Sequence, residues 1–445
     1  MVRKSKLFIL IAALALFVSA CGGGGSSGTG STGDGGGSGS GNEQTSGGEG
    51  NAAEGSGGTK EITFWTISLS PTFDDYINGV IADFEAQNPG VKVNWQDIPY
   101  DAVEQKTLTA AASNSLADVM NLNTDYLKKL AGLGALANMD ELAGDVKDQY
   151  FEGVWSAGEL KGVSYAIPWY LSNSVTLYNK ELLEKAGFSE PPKTEEEAWE
   201  MSKAIKEKTG AYGFTTSGIQ LTFPQEGIKV VSDDYTKAAF NTPEALELLK
   251  KFKQRYDEGL IPDELLLGQA KPNEWYAQEK IAFWATGPQL FRQVKDLSPE
   301  VYEKSDATGA IMGKSGKVNV AIMNIAVAES SKHKEEAAAF AKFITNGENQ
   351  LAFSKIVAIL PSVKSAAADE YFTKGADSTD PAEKGLYLAA KQLEYSENMY
   401  PPVENISQIN KVLNEEFQKV LVQGKDPQQA LNDAEAEVNK LLATE

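Results

Sequence analysis

The chain has 445 residues, and 41 basic against 62 acidic side chains leave a formal net charge of −21, with one histidine and one cysteine. So acidic a chain repels phosphate backbones and anionic headgroups, and nucleic acid is not expected as a partner. The lone His333 and Cys21 rule out the usual His/Cys metal cluster, a disulfide within the chain and a Cys–His nucleophile pair, so no metal is expected.

The first residues read as an address. Arg3, Lys4 and Lys6 precede an uninterrupted apolar stretch from Leu7 to Val18, and small residues then lead to Cys21. That is the architecture of a secretory signal over residues 1–20. About a dozen apolar residues fall short of the roughly 20 that span a bilayer as a helix. Val18-Ser19-Ala20-Cys21 resembles the bacterial lipobox, in which the cysteine thiol receives diacylglycerol and becomes the new N-terminus. The alternative is an ordinary signal peptide with a stray cysteine. Residues 22–58 hold 18 glycines and 7 serines and almost nothing apolar. Such a segment cannot offset its chain entropy and reads as a disordered tether, with an r.m.s. reach of roughly 35 Å.

From about Lys60 the pattern alternates, over a length that allows two or three domains with ample core. Glu61–Trp65 is a short strand. Phe73, Tyr76, Ile77, Val80, Ile81 and Phe84 then recur at three- and four-residue spacing, a helical face that Asn88-Pro89-Gly90 stops. Val91, Val93 and Trp95 alternate with polar residues as a second strand, which completes a β–α–β unit. A helix over about 101–114 and a strand at Asp118–Leu122 extend it. Similar alternation follows at Val175–Tyr178, a helix from Thr194 to Lys208, Tyr212–Thr216, a helix over Thr242–Glu258 and a strand at Ile281–Ala285. The C-terminal third reads as mostly helical. Repeated βαβ units predict an α/β protein with parallel sheets.

The segment Tyr165–Lys180, YAIPWYLSNSVTLYNK, resembles the crossover of family 1 extracellular solute-binding proteins. These are the sugar-capturing components of ABC importers, typified by maltose-binding protein. ITFW, FEAQNPGVKV, ADVMNLNTDYLKKLAGLGAL, LLEKAGFSEPPKT, AFNTPEALELLKKFKQRYDEGLIP and KIAFWATGP follow the family's order, so the match covers about residues 60–445. The resemblance implies a two-lobed α/β fold, periplasmic-binding-protein-like, with discontinuous lobes joined by a hinge and ligand in the cleft between them. By analogy lobe one comprises about 60–169 and 318–372, and lobe two about 170–317 and 373–445. It implies no catalysis and no cofactor, and a monomer whose partners are a carbohydrate ligand, the transmembrane permease subunits and, through Cys21, the lipid bilayer.

A pyranose has an apolar face and a rim of hydroxyls, so its site needs aromatic plates beside pre-fixed carboxylates and amides; each buried polar group left unpaired costs about 1–3 kcal/mol. Trp169, Tyr170, Ser172 and Asn173, in the crossover that resembles the family's cleft-lining segment, are the expected source of both; the alternative is that the two aromatics are packing residues. Trp65 ends the first strand, and ligands of open α/β sheets gather at the carboxyl ends of strands; it is either a contact or core. Asn123 and Asp125 follow the third strand, and either could contact ligand or cap the helix beginning near Tyr126. Where many relatives have Gly-Pro-Trp, this chain has Gly287-Pro288-Gln289, so the plate is lost or supplied by Trp284, and Gln289 would hydrogen-bond instead. Trp95 and Trp199 read as core, His333 as solvated, and Glu195–Glu197 as first-turn helix residues.

Lys and Arg are absent from the segments assigned to the cleft, which argues against anionic cargo. The reading is therefore a lipid-anchored protein outside a Gram-positive membrane that binds a neutral sugar or oligosaccharide and delivers it to a permease. A sensor or adhesin using the same lobes without transport, and a glycoside hydrolase using two carboxylates, are the alternatives.

Overall fold

The computed structural model describes residues 59–214 and 218–443. The signal segment, Cys21 and the tether lie outside the described residues, as do positions 215 and 216 of the strand expected after Tyr212. Of that strand the structure contains a single bridge, Tyr212 to Ile281.

Ten strands carry the architecture: β1 (Lys60–Ile67), β2 (Val91–Ile98), β3 (Val119–Asn123), β4 (Ala166–Asn173), β5 (Val175–Asn179), β6 (Phe283–Thr286), β7 (Ser305–Thr308), β8 (Val318–Val327), β9 (Leu360–Pro361) and β10 (Ser396–Glu397). The first sheet runs β9-β4-β8-β3-β1-β2, with β10 beside β8, and the second runs β6-β5-β7. The fold is two-lobed α/β. The expectation of parallel pairing holds for β2-β1-β3, whose strands are joined by helical crossovers, and for the short β8-β10 pair. β8 is antiparallel to both β3 and β4, and the second sheet is antiparallel at both its pairings. β8 itself, VNVAIMNIAV, falls in the third that read as helical. A continuous apolar run does not declare its period.

The helices form where local signals agree. α1 (Asp74–Gln87) buries Ile77, Val80, Ile81 and Phe84, one stripe at helical spacing. α2 (Tyr100–Ala112) follows β2, and α3 (Thr124–Gly132) follows β3 with Asn123 as its N-cap. α4 (Glu195–Thr209) opens on a complete capping box: Thr194 accepts from the Glu197 amide while the Glu197 carboxylate accepts from the Thr194 amide. α5 (Pro243–Asp257) has proline in its first turn, and Gly259 follows at φ +72°. α6 (Lys334–Ile344) and α7 (Gly347–Val357) pack in the core with α1, α8 (Pro381–Lys391) packs beside the second sheet, and α9 (Ile406–Gln423) and α10 (Pro427–Leu442) pack with α4 and α5. Among the described residues no helix is long and apolar enough to cross a membrane.

Strand alternation divides the first core. Ile62 and Phe64 face α1 and α6, where Phe64 meets Phe340 edge-on at 5.1 Å, while Trp65 and Ile67 face α2 and α3. A second core of Phe223, Phe240, Phe252, Leu413 and Phe417 lies under α4, α5, α9 and α10. A third bridges the sheets: Leu171, Val320 and Ile322 of the first pack with Leu177 and Trp284 of the second and with Phe291 just beyond it. The chain passes between sheets at Ser174, because β4 stays in the first sheet through Asn173. That puts the crossing later than the boundary at 169 expected from the resemblance.

Close approach of α4 to the segment leading into the second sheet depends on Gly213. A Cβ there would lie 2.5 Å from Ser202 Cα and 2.7 Å from its Cβ. Gly213→Ala is expected to cost about 1–3 kcal/mol, seen as a lower urea midpoint with unchanged slope.

Candidate functional site

Side chains on a strand alternate between its faces, so four consecutive residues cannot all face one cleft. β4 shows the consequence. A bulge at Trp169 lets Met323 of β8 pair with Tyr170 and the next residue, Asn324, with Pro168. Trp169 then turns into the first core, 0% exposed, with its indole stacked on Phe353 at 5.4 Å and 16°. It is a packing residue rather than the expected plate. Asn173 is also buried, and its Nδ2 donates to Ala389 O at 2.9 Å and Ser396 Oγ at 3.2 Å, a bracket across the crossing between sheets rather than part of a sugar rim. Trp284 is 6% exposed in the bridging core against Tyr276 and Phe291, so it supplies no plate in place of the missing tryptophan.

The alternate residues behave differently. Tyr170 and Ser172 are half-buried; Tyr170 packs edge-on against the same Phe353 at 5.3 Å, and Gln289 Nε2 donates to Ser172 Oγ at 3.0 Å. Gly287 allows this meeting, since a Cβ there would lie 2.5 Å from both the Ser172 hydroxyl and the Gln289 amide. The structure therefore brings Ser172 and Gln289 together although 117 positions separate them. Burial raises the Tyr170 phenol above its ordinary range, and the Asp97 carboxylate adds to the rise.

At the carboxyl ends of β1 to β3 a second group assembles. Trp65 is half-buried, with the Lys106 ammonium 4.2 Å from its ring centroid. Asn123 caps α3, its Oδ1 accepting from the Tyr126 amide at 2.8 Å. Asp125, in the first turn of α3, accepts from Ser407 Oγ of α9 at 3.4 Å. Because Ile406 and Ile409 belong to the second core, this contact joins α3 to the elements of that core. Burial raises the Asp125 carboxyl above the usual carboxylate range, opposed by the positive charge of Lys128 and the Ser407 hydrogen bond. Lys128 itself is 2% exposed, and burial lowers its ammonium to about 8.

Several residues of this group escaped the sequence reading. Tyr100 is 59% exposed at the start of α2, its amide held by Ser68 Oγ at 3.0 Å, and its hydroxyl meets that of Tyr126. Tyr400 lies near Asp125, and its hydroxyl meets the Gln220 side chain. Among the described residues the buried Gln220 Oε1 has no hydrogen-bond partner. Tyr100 was within reach of the rule applied to Trp65, since it lies just past the end of β2. Nor were Lys106 and Lys128 foreseen, because neither was placed in a segment assigned to the cleft.

Phenols, a carboxylate, a serine hydroxyl and amides drawn from both lobes can hydrogen-bond a polyhydroxylated molecule and stack on its apolar face. Two cavities of about 430 and 1000 Å³ lie elsewhere: one is lined by Glu195, Arg255 and Lys314, the other by Phe151, Lys317, Phe372 and Glu397. Neither contains a residue of this group. Among the described residues no cluster of His, Cys, Asp and Glu has the arrangement to hold a metal ion.

Known proteins give the fold its context. The sequence matches the family described as bacterial extracellular solute-binding protein over residues 79–379. It is 25% identical over 412 residues to the diacetylchitobiose binding protein DasA of Streptomyces coelicolor, covering 88% of this chain and 92% of that one. It is 22% identical over 451 residues to the galactooligosaccharide-binding protein of Bacillus subtilis, covering 98% and 96%. The sugar-binding protein MalE of Xanthomonas citri superposes with a TM-score of 0.73 at 26% identity, covering 86% of this chain and 98% of that one. The chain belongs to the bacterial extracellular solute-binding proteins, the extracytoplasmic, non-enzymatic binding components of ABC importers.

Proposed function

We propose that this protein captures a neutral oligosaccharide outside the membrane and hands it to a permease. The observation that carries the reading is the group around Asp125, which has Tyr126 beside it on α3 and Tyr400 and the Ser407 hydroxyl near it from the other lobe. Ligand held by both sides would favour a closed arrangement of the lobes. Trp65, Tyr170, Ser172 and Gln289 are the further contacts we assign, with Asn123 acting through the helix it caps. The lobes we assign are built on the first and second sheets, with the hinge at Ser174 and the segments between β7 and β8 and after β9. Relatives named for diacetylchitobiose and galactooligosaccharide support a sugar of more than one unit.

A thermal-shift and calorimetric screen with chito-, galacto-, arabino- and malto-oligosaccharides tests the ligand class. At least one is expected to raise the melting temperature and be recovered uncleaved; stabilisation by anions or peptides alone would reverse the reading. We further propose that Cys21 carries the lipid and the tether keeps the domain at the outer face of a Gram-positive membrane. Cys21→Ala should then release the protein to the medium, and a variant that stays with the cells counts against the anchor.

A further inference from the structure

Lys128 is a buried cation that the binding site as described does not use. It sits on α3 one turn after Asp125, so the two side chains share a helix face. Its Nζ lies 3.4 Å from the Pro401 carbonyl oxygen and 3.5 Å from that of Tyr400, long contacts to neutral acceptors. Its exposure is 2%, and burying an ammonium that is not closely paired is unfavourable. An apolar side chain would fill the same place more stably. What the ammonium does offer is charge.

The other charged groups around it are already engaged. Lys129 pairs with Glu104 of α2 at 2.7 Å, and Lys161 with Glu404 at 3.6 Å. Glu159, on the neighbouring hairpin, pairs with Lys147 at 3.3 Å. β8 carries no titratable side chain, and Tyr126 and Tyr400 bring only phenols. The carboxylate left for Lys128 to act on is Asp125, which is itself half-buried and held by one long bond from Ser407.

We propose that Lys128 is a positioning residue of the site, whose buried charge holds Asp125 as the ionised double acceptor that ligand hydroxyls meet. This rests on the reading that Asp125 faces the ligand. The sign follows from two opposed effects. Burial favours the neutral carboxyl and pushes its titration upward; a nearby positive charge favours the carboxylate and pulls it down. Without Lys128 only the Ser407 bond would resist the first effect. Asp125 would then protonate more readily and present a donor where an acceptor is needed.

The test needs no sugar. The Asp125 carboxyl is titrated by ¹³C NMR in selectively labelled protein, its signal assigned by its loss in Asp125→Asn. In Lys128→Met the midpoint is expected to rise by at least about one pH unit over wild type, and in Lys128→Arg to return toward wild type. A midpoint unchanged in Lys128→Met overturns the proposal, as does a rise that Lys128→Arg shares. Should the methionine variant not fold, Lys128→Gln, which keeps donors but not the charge, supports the same reading. Failure of every oligosaccharide in the screen would sink the sugar reading while leaving this titration intact, so the two outcomes are separable.

Discussion

Truncating Trp169 to alanine is expected to lower the free energy of unfolding by about 3–5 kcal/mol. Its indole is fully buried between β4 and α7, stacked on Phe353 and touched edge-on by Tyr170 at 4.9 Å. The first core would lose a large apolar area and keep much of the void, because Phe353 is also braced by Phe73 and by Tyr76, stacked on it at 4.6 Å. Chemical denaturation read by circular dichroism measures the loss. Protein that remains folded at low temperature should keep most of its sugar affinity, whereas Tyr170→Ala should lose affinity at a smaller cost in stability. A Trp169→Ala protein as stable as wild type but unable to bind would return this residue to the site.

Asp125→Asn should weaken binding of the sugar that stabilises the wild type by roughly 10- to 100-fold, the scale of one hydrogen bond to a charged acceptor. Calorimetry at neutral pH measures this. Stability should move the other way. The Asp125 carboxyl titrates above its ordinary range in the fold, so the native state binds this proton more tightly than the unfolded chain. Its contribution to stability is present below the unfolded value and lost as pH rises through the folded one. At neutral pH the carboxylate therefore opposes folding, and the neutral amide should melt at the same temperature or higher. A variant that melts lower and binds normally would make Asp125 a structural residue.

Local physics made the helices readable, since spacing, caps and stop signals lie within a few positions of one another. Strand direction is another matter. Whether β8 runs with or against its neighbours depends on where the chain returns after the whole second lobe, and no window of ten residues contains that. The aromatic pair at 169 and 170 failed for a different reason. Both residues suit a sugar chemically, but the bulge at Trp169 breaks the alternation of the pleat, and both rings pack against Phe353, Trp169 fully buried and Tyr170 partly so. Of the alternatives left open for Asn123 and Asp125, the cap of α3 falls to Asn123, while Asp125 bonds Ser407 of α9, a partner neither alternative named. Tyr400, Ser407 and Gln220 had no signal of their own, because their neighbourhood is created by folding.

The place of β8 bears on how such a chain reaches its destination. The strand at the middle of the first sheet is among the last of that sheet to be synthesised, so the edges of β3 and β4 that it joins have no partner until residues 318–327 arrive. Pairing over so long a separation is slow, and half a sheet has little to hold it together. A polypeptide threading head-first through a narrow pore gains from that delay: its leading half stays pliable until most of the length has passed, and the fold locks on the far side.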